Sequence, residues 1–202
     1  MSKERVAIAR HIARADRWQP TNSPALRKAP DAIQEWLAWP DSLTEKLATQ
    51  LHGRVQIRVL SERRDRLMAD ERAHLAVVVR TARVREVQLE VHETGYVVAR
   101  TVFPDSTARV MDQALCRLGN RSLGSLLFGA VRAPVRTREF LRLTPQAALW
   151  RVLHSSLPSG ASHLWARRAV HLLDGEPLLV TEIFLARMFE MAPPNPAGGS
   201  FG

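Results

Sequence analysis

Cysteine is all but missing from this chain: Cys116 stands alone among 202 residues, which excludes an internal disulfide framework and any cysteine-rich zinc module. Acid is in short supply as well, 20 Asp and Glu against 29 Lys and Arg, for a formal charge of +9. Long apolar runs are absent. None approaches the ~18 residues that span a bilayer, and the first thirty residues lack the apolar core of a secretory signal. Glu4 and Asp16 argue against an organellar transit peptide, so the expected location is the cytoplasm. Aromatic residues make up only 6%, too few for the stacking platforms of a single-strand nucleic-acid binder. The seven histidines show no metal-ligand spacing, and no metal is expected.

What is present is the composition of a globular protein, 46% apolar and 24% charged, which rules out a disordered or fibrous chain. The basic surplus fits nucleic acid, an anionic membrane or a small anionic substrate, and charge alone does not choose among them; the arginines are scattered and no reading motif is present, so nucleic acid is not expected, and no membrane partner is expected either. Residues 1–30, with Pro20, Pro24 and Pro30, read as an arm or linker. Residues 191–202 are rich in proline and glycine and read as a disordered tail. A single domain is expected over residues 31–190.

Helices are signalled by their caps. Asp31 precedes an apolar-periodic run, and Ser42-Leu43-Thr44-Glu45 is a capping-box pattern whose helix Gly53 ends. Residues 106–118, halted by Gly119, and 122–128 form a helix, glycine break, helix pattern. Six segments alternate or are β-branched and read as strands: 54–60, 84–92, 96–103, 135–143, 164–172 and 178–185. Short links at 92–95 and at Asp174-Gly175 imply antiparallel hairpins. The expected fold class is α+β, one six-stranded antiparallel sheet with helices packed on one face. The run Arg63-Arg64-Asp65-Arg66 reads as a solvated turn, and 144–163 as an irregular excursion that begins with helix formers.

Side chains alternate between the faces of a strand, and this exposes charges on apolar faces. Arg85 shares a face with Val87, Leu89 and Val91; Arg100 shares one with Tyr96, Val98 and Val102. Glu182 lies with Leu178, Val180 and Phe184 on a strand whose other face is apolar too, and Arg168 is a weaker case beside Val170 and Leu172. An unpaired buried charge costs several kcal/mol, so such groups persist only when paired, hydrated or used. One reading is a structural ion pair of Arg85 or Arg100 with Glu182. The other is a closed cavity in which two arginines bind a carboxylate and a glutamic acid of raised pKa handles a proton. Guanidinium suits the task because its planar fork meets a carboxylate through two parallel hydrogen bonds.

At these residues the sequence resembles the chorismate lyase family. The resemblance rests on Trp36-Leu37 with Asp41-Ser42-Leu43-Thr44, Arg85-Glu86-Val87, Arg100-Thr101-Val102-Phe103-Pro104, Leu118-Gly119 with Leu123-Gly124-Ser125-Leu126-Leu127-Phe128, Leu164-Trp165-Ala166-Arg167-Arg168, and the run from Gly175 to Leu185. Their order and spacing extend over about 150 residues. The resemblance implies removal of pyruvate from chorismate to give 4-hydroxybenzoate, a ubiquinone precursor, without cofactor, in an internal pocket beneath helix-turn-helix flaps; a monomer is expected. It places the family's ligand-contacting arginine on Arg85, its essential glutamate on Glu182, further ligand contacts on Leu43 and Leu123, and another pocket arginine on Arg100. Ala99 stands where some members have glycine. The alternative is a non-catalytic effector-sensing domain of the same fold that binds a small carboxylate; such regulators carry a DNA-binding domain ahead of the sensor, for which thirty proline-interrupted residues are too short.

Overall fold

The computed structural model describes residues 17–116 and 135–190. A short strand β1 (Gln19–Pro20) precedes helices α1 (Asp31–Ala38) and α2 (Leu43–Gln50). Then come β2 (Gln56–Arg66), α3 (Ala69–Leu75), the hairpin β3 (Thr81–Val91) and β4 (Thr94–Phe103), and α4 (Asp105–Cys116). After the undescribed stretch follow β5 (Val135–Leu143), α5 (Ala148–Leu153) and the hairpin β6 (Leu164–Leu173) and β7 (Glu176–Phe184). All described strand pairs are antiparallel, in the order β1-β5-β6-β7-β4-β3-β2. The fold is α+β on a single large sheet.

Local chemistry sets these elements. Ser42 accepts a hydrogen bond from the Glu45 backbone N–H at 3.3 Å, which caps α2 as the Ser-x-x-Glu pattern leads one to expect. Asp174 and Gly175 both have positive φ, 47° and 86°, the tight turn whose twist matches the flanking strands. The β3–β4 turn is equally tight, at His92 and Glu93 with φ 49° and 60°. Just after it the register slips by one residue between the Leu89 and Glu90 pairs, leaving Tyr96 as the extra residue on β4.

Three features differ from the sequence expectation. A seventh strand exists, because Gln19 and Pro20, in the stretch read as an arm, pair with Phe140 and Glu139 on the β5 edge. Arg63 to Arg66 are not a turn: β2 continues to Arg66 after a bulge at Leu60, its charged side chains opposite β3 where apolar alternation has ended. Helices cover both faces rather than one. Ile33, Trp36 and Leu37 of α1 and Leu43 and Leu47 of α2 pack with Leu89, Val97, Phe140, Trp165 and Phe184; Leu149 and Leu153 of α5 pack with Val98, Leu141, Ala166 and Ile183. The two sets alternate along the same strands. Leu75 of α3 joins Val84, Val102 and Leu179 on the α5 side. The physical reason lies in the central strands, where every residue of β4 from Val97 to Phe103 is buried, so neither face can be left to water.

Candidate active site

Register decides which charges can meet. On the face covered by α1 and α2, one row across the sheet runs Glu62, Arg85, Thr101, Val180, Ala169, Arg138, and the next runs Val87, Ala99, Glu182, Arg167, Phe140. Arg85 and Glu182 therefore share this face. They stand two strands apart and two residues along, about 12 Å between Cα positions at ordinary sheet dimensions. Between them the floor is small: Thr101 and Ala99.

Arg85 is buried, with 6% of its surface exposed. Its Nη1 donates to Glu62 Oε2 at 2.5 Å, and Glu62 also accepts from Arg83 Nε at 2.9 Å. Burial on its own raises the Glu62 carboxyl, but hydrogen bonds from the two guanidinium groups outweigh it and hold that carboxyl below the usual range.

Glu182 meets a different arginine. Arg167, its direct neighbour on β6, donates from Nε to Glu182 Oε2 at 2.5 Å, and from Nη1 to the carbonyls of Trp36 at 3.0 Å and Trp39 at 2.9 Å. Arg138 donates to the Trp39 carbonyl and, at 2.8 Å, to that of Pro40. Two guanidinium groups thus satisfy the carbonyls that the end of α1 leaves without partners, where a cation also suits the helix dipole. Lys46 of α2 adds a third cation, paired with Glu35 and lying over the Trp39 ring at 3.9 Å and the Trp36 ring at 4.7 Å. Burial, above all, pulls the Lys46 ammonium below its ordinary value, against the pull of Glu35 and with the repulsion of Arg167. Arg138 is lowered in the same way, by burial first and then by Arg167, with Glu182 and Asp41 opposing. The connection between α1 and α2 is in this way pinned above Glu182, and Leu43, 3% exposed at the start of α2, is packed into the core beside it.

Arg100 is not part of this constellation. It points to the opposite face, fully buried, where Nε donates to Glu71 Oε1 at 2.8 Å and Nη1 to Glu86 Oε1 at 2.6 Å. Burial disfavours its charge, but the two carboxylates more than restore it and raise its pKa. Arg168 lies on that face too, bonded to Glu139 at 2.8 Å and Asp70 at 3.1 Å and stacked against Trp18 at 4.2 Å. Leu123 lies outside the described residues. No pair joins Glu182 to Arg85 or Arg100 among the described residues; each of the three charges has another partner. The sequence reading missed Arg167, Arg138 and Glu62 as neighbours of the site. Among the described residues no group of three His, Cys, Asp or Glu side chains is arranged to hold a metal, and no helix is long and apolar enough to cross a membrane.

An antiparallel sheet with helices on both faces defines an α+β domain, with a buried arginine and a glutamate set two strands apart on one of those faces. Its fold is similar to that of PhnF from Mycobacterium smegmatis, with a TM-score of 0.54 at 12% identity over 75% of this chain and 66% of that one, and to the separate effector domain of PhnF, with a TM-score of 0.53 at 12% identity over 73% and 90%. At such identity the likeness is one of fold alone. The family is decided by sequence: the chorismate lyase model matches residues 13–193, and the chain belongs to that family. It is 36% identical over 153 residues to the "Probable chorismate pyruvate-lyase" of Dechloromonas aromatica, covering 76% of this chain and 86% of that protein. It is 33% identical over 165 residues to the "Chorismate pyruvate-lyase" of Pectobacterium atrosepticum, covering 77% and 78%.

Proposed function

We propose that this protein eliminates pyruvate from chorismate to give 4-hydroxybenzoate, with Arg85 and Glu182 as its principal ligand-contacting residues. The observation that carries the assignment of residues is the shared face: a buried guanidinium and a carboxylate separated by small side chains, on the side covered by α1, α2 and the connection between them. That spacing suits a para-substituted six-membered ring, with its carboxylate at Arg85 and its hydroxyl at Glu182.

In the reaction the bond from the ring to the enolpyruvyl oxygen breaks, the ring carbon bearing the hydroxyl loses its proton, and the ring becomes aromatic. The enolpyruvate that leaves takes up a proton and ends as pyruvate. Aromatisation supplies much of the driving force, so the protein's task is to hold a reactive conformer and stabilise developing charge. Arg85 clamps the ring carboxylate, and Glu182 accepts a hydrogen bond at the ring hydroxyl. Leu43, and Leu123 on the family pattern, pack on the ring and exclude water. Arg83, Arg138, Arg167 and Lys46 make this side of the sheet cationic, which complements a dianionic substrate. Arg100, on the other face, supports the sheet rather than touching the ligand. This reading has the protein act in the cytoplasm as a monomer, without cofactor, metal or nucleic acid.

The test is direct. Purified protein mixed with chorismate is expected to release pyruvate and 4-hydroxybenzoate in equal amounts. Tight binding of 4-hydroxybenzoate with no pyruvate released overturns the enzyme reading in favour of a carboxylate sensor.

A further inference from the structure

We infer that Arg167 is a positioning residue: it holds one oxygen of Glu182 and two backbone carbonyls at once, and thereby aims the other oxygen at the ring hydroxyl of the ligand. The inference rests on the reading of Glu182 as the hydroxyl acceptor.

Three observations carry it. Glu182 Oε2 is engaged by Arg167 Nε at 2.5 Å, and among the described residues Oε1 accepts no hydrogen bond. Arg167 cannot swing away, because its Nη1 is fixed on the Trp36 and Trp39 carbonyls at 3.0 and 2.9 Å and its side chain is 7% exposed. The two contacts leave the guanidinium through different nitrogens, so the rigid plane transmits the position of the α1 end to the carboxylate. A lysine offers one point charge and cannot span both. The same guanidinium ties the roof over the site, from Trp36 to Leu43, to the acid beneath it, so the placement of the roof and the orientation of the acceptor are linked.

The experiment compares two ligands that differ by one hydroxyl. Dissociation constants of 4-hydroxybenzoate and benzoate are measured by calorimetry for the wild type and for Glu182→Ala, Arg167→Gln and Arg167→Lys. The wild type is expected to prefer 4-hydroxybenzoate by about tenfold or more, the worth of a hydrogen bond to a charged acceptor. Glu182→Ala and Arg167→Gln are each expected to bring the ratio close to one while benzoate affinity changes little, and the double variant to add nothing further. A merely structural arginine would weaken both ligands alike and leave the ratio standing. If Glu182→Ala loses the preference and Arg167→Gln keeps it, the positioning role is overturned and the acceptor reading survives. If the wild type shows no preference, or Glu182→Ala retains it, the acceptor reading falls and the inference with it. Should Arg167→Gln lose its cooperative melt, Arg167→Lys decides by the same ratio, and a wild-type value there overturns the role.

Discussion

Arg85 and Arg100 point to opposite faces of one sheet, although each shares its face with a row of buried apolar residues. The cause is local. The one-residue slip at Tyr96 sets Arg100 opposite Glu86 and Arg85 opposite Thr101. The bulge divides two arginines between two tasks, one beside the proposed ligand and one in a closed ion-pair cluster with Glu71 and Glu86.

Truncating Arg100 strands two buried carboxylates, since Glu71 and Glu86 are 2% and 5% exposed. The expected loss for Arg100→Met is about 3–5 kcal/mol, read from urea unfolding. Glu71→Gln in the same chain should recover part of it. Because Arg100 does not reach the face that carries Arg85 and Glu182, the fraction that stays folded should turn over chorismate at close to the normal rate. A fall of a hundredfold at wild-type stability would place Arg100 in the ligand site after all.

On the other face the expectation is reversed. Arg85→Ala and Glu182→Ala should each leave a folded protein whose pyruvate release is reduced at least about a hundredfold, as removal of a charged contact to a reacting ligand commonly does. Circular dichroism establishes folding and a coupled pyruvate assay the rate. Near-normal turnover in either variant removes that residue from the site.

The two partners of Glu182 and Arg100 differ in how legible they were. Arg167 could be found by counting: Leu173 pairs with Glu176 at the tight turn, and six residues further out on each side Arg167 meets Glu182. The Asp174-Gly175 turn is visible in the sequence, and a two-residue turn fixes its register. Glu71 could not be found that way, because α3 reaches Arg100 across 29 residues and through tertiary packing. The strands themselves were legible from alternation wherever one face was polar. The outer half of β2 was not, because it is held by cross-strand ion pairs such as Glu62 with Arg83 and Arg85 rather than by apolar burial. Coverage of both faces was hinted at by β7, whose residues are mostly apolar on either side of Glu182.

The face with α3 should also make the fold sensitive to mild acid. His74 Nε2 lies 3.0 Å from Thr137 Oγ1 and 3.6 Å from Glu139. Burial first, then Arg168 and Arg136, push its pKa below the ordinary 6.5, against the pull of Glu139 and Asp70. The unfolded chain therefore binds the proton more readily than the folded one. Its contribution to stability is complete above the ordinary value and is lost as pH falls from there through the lowered one. Melting temperature should drop as the pH falls below about 7.5, and His74→Gln should flatten that part of the curve. An identical slope in the variant would exclude His74 as its source.

Product binding offers a check on the proposed site that does not depend on turnover. A ligand that binds only the folded state stabilises it by RT ln(1 + [L]/Kd), about 2.7 kcal/mol at a hundredfold excess over Kd, or several degrees for a protein of this size. With 4-hydroxybenzoate the shift should be present in the wild type, fall sharply in Arg85→Ala, whose carboxylate clamp is gone, and persist in Arg58→Gln. Arg58 is an instructive comparison because it is equally cationic but pairs with Glu90 on the exposed side of β2, its side chain 55% exposed. A shift that Arg58→Gln abolishes and Arg85→Ala spares would mean that the ligand sits on the outer edge of the sheet, away from the face roofed by α1 and α2.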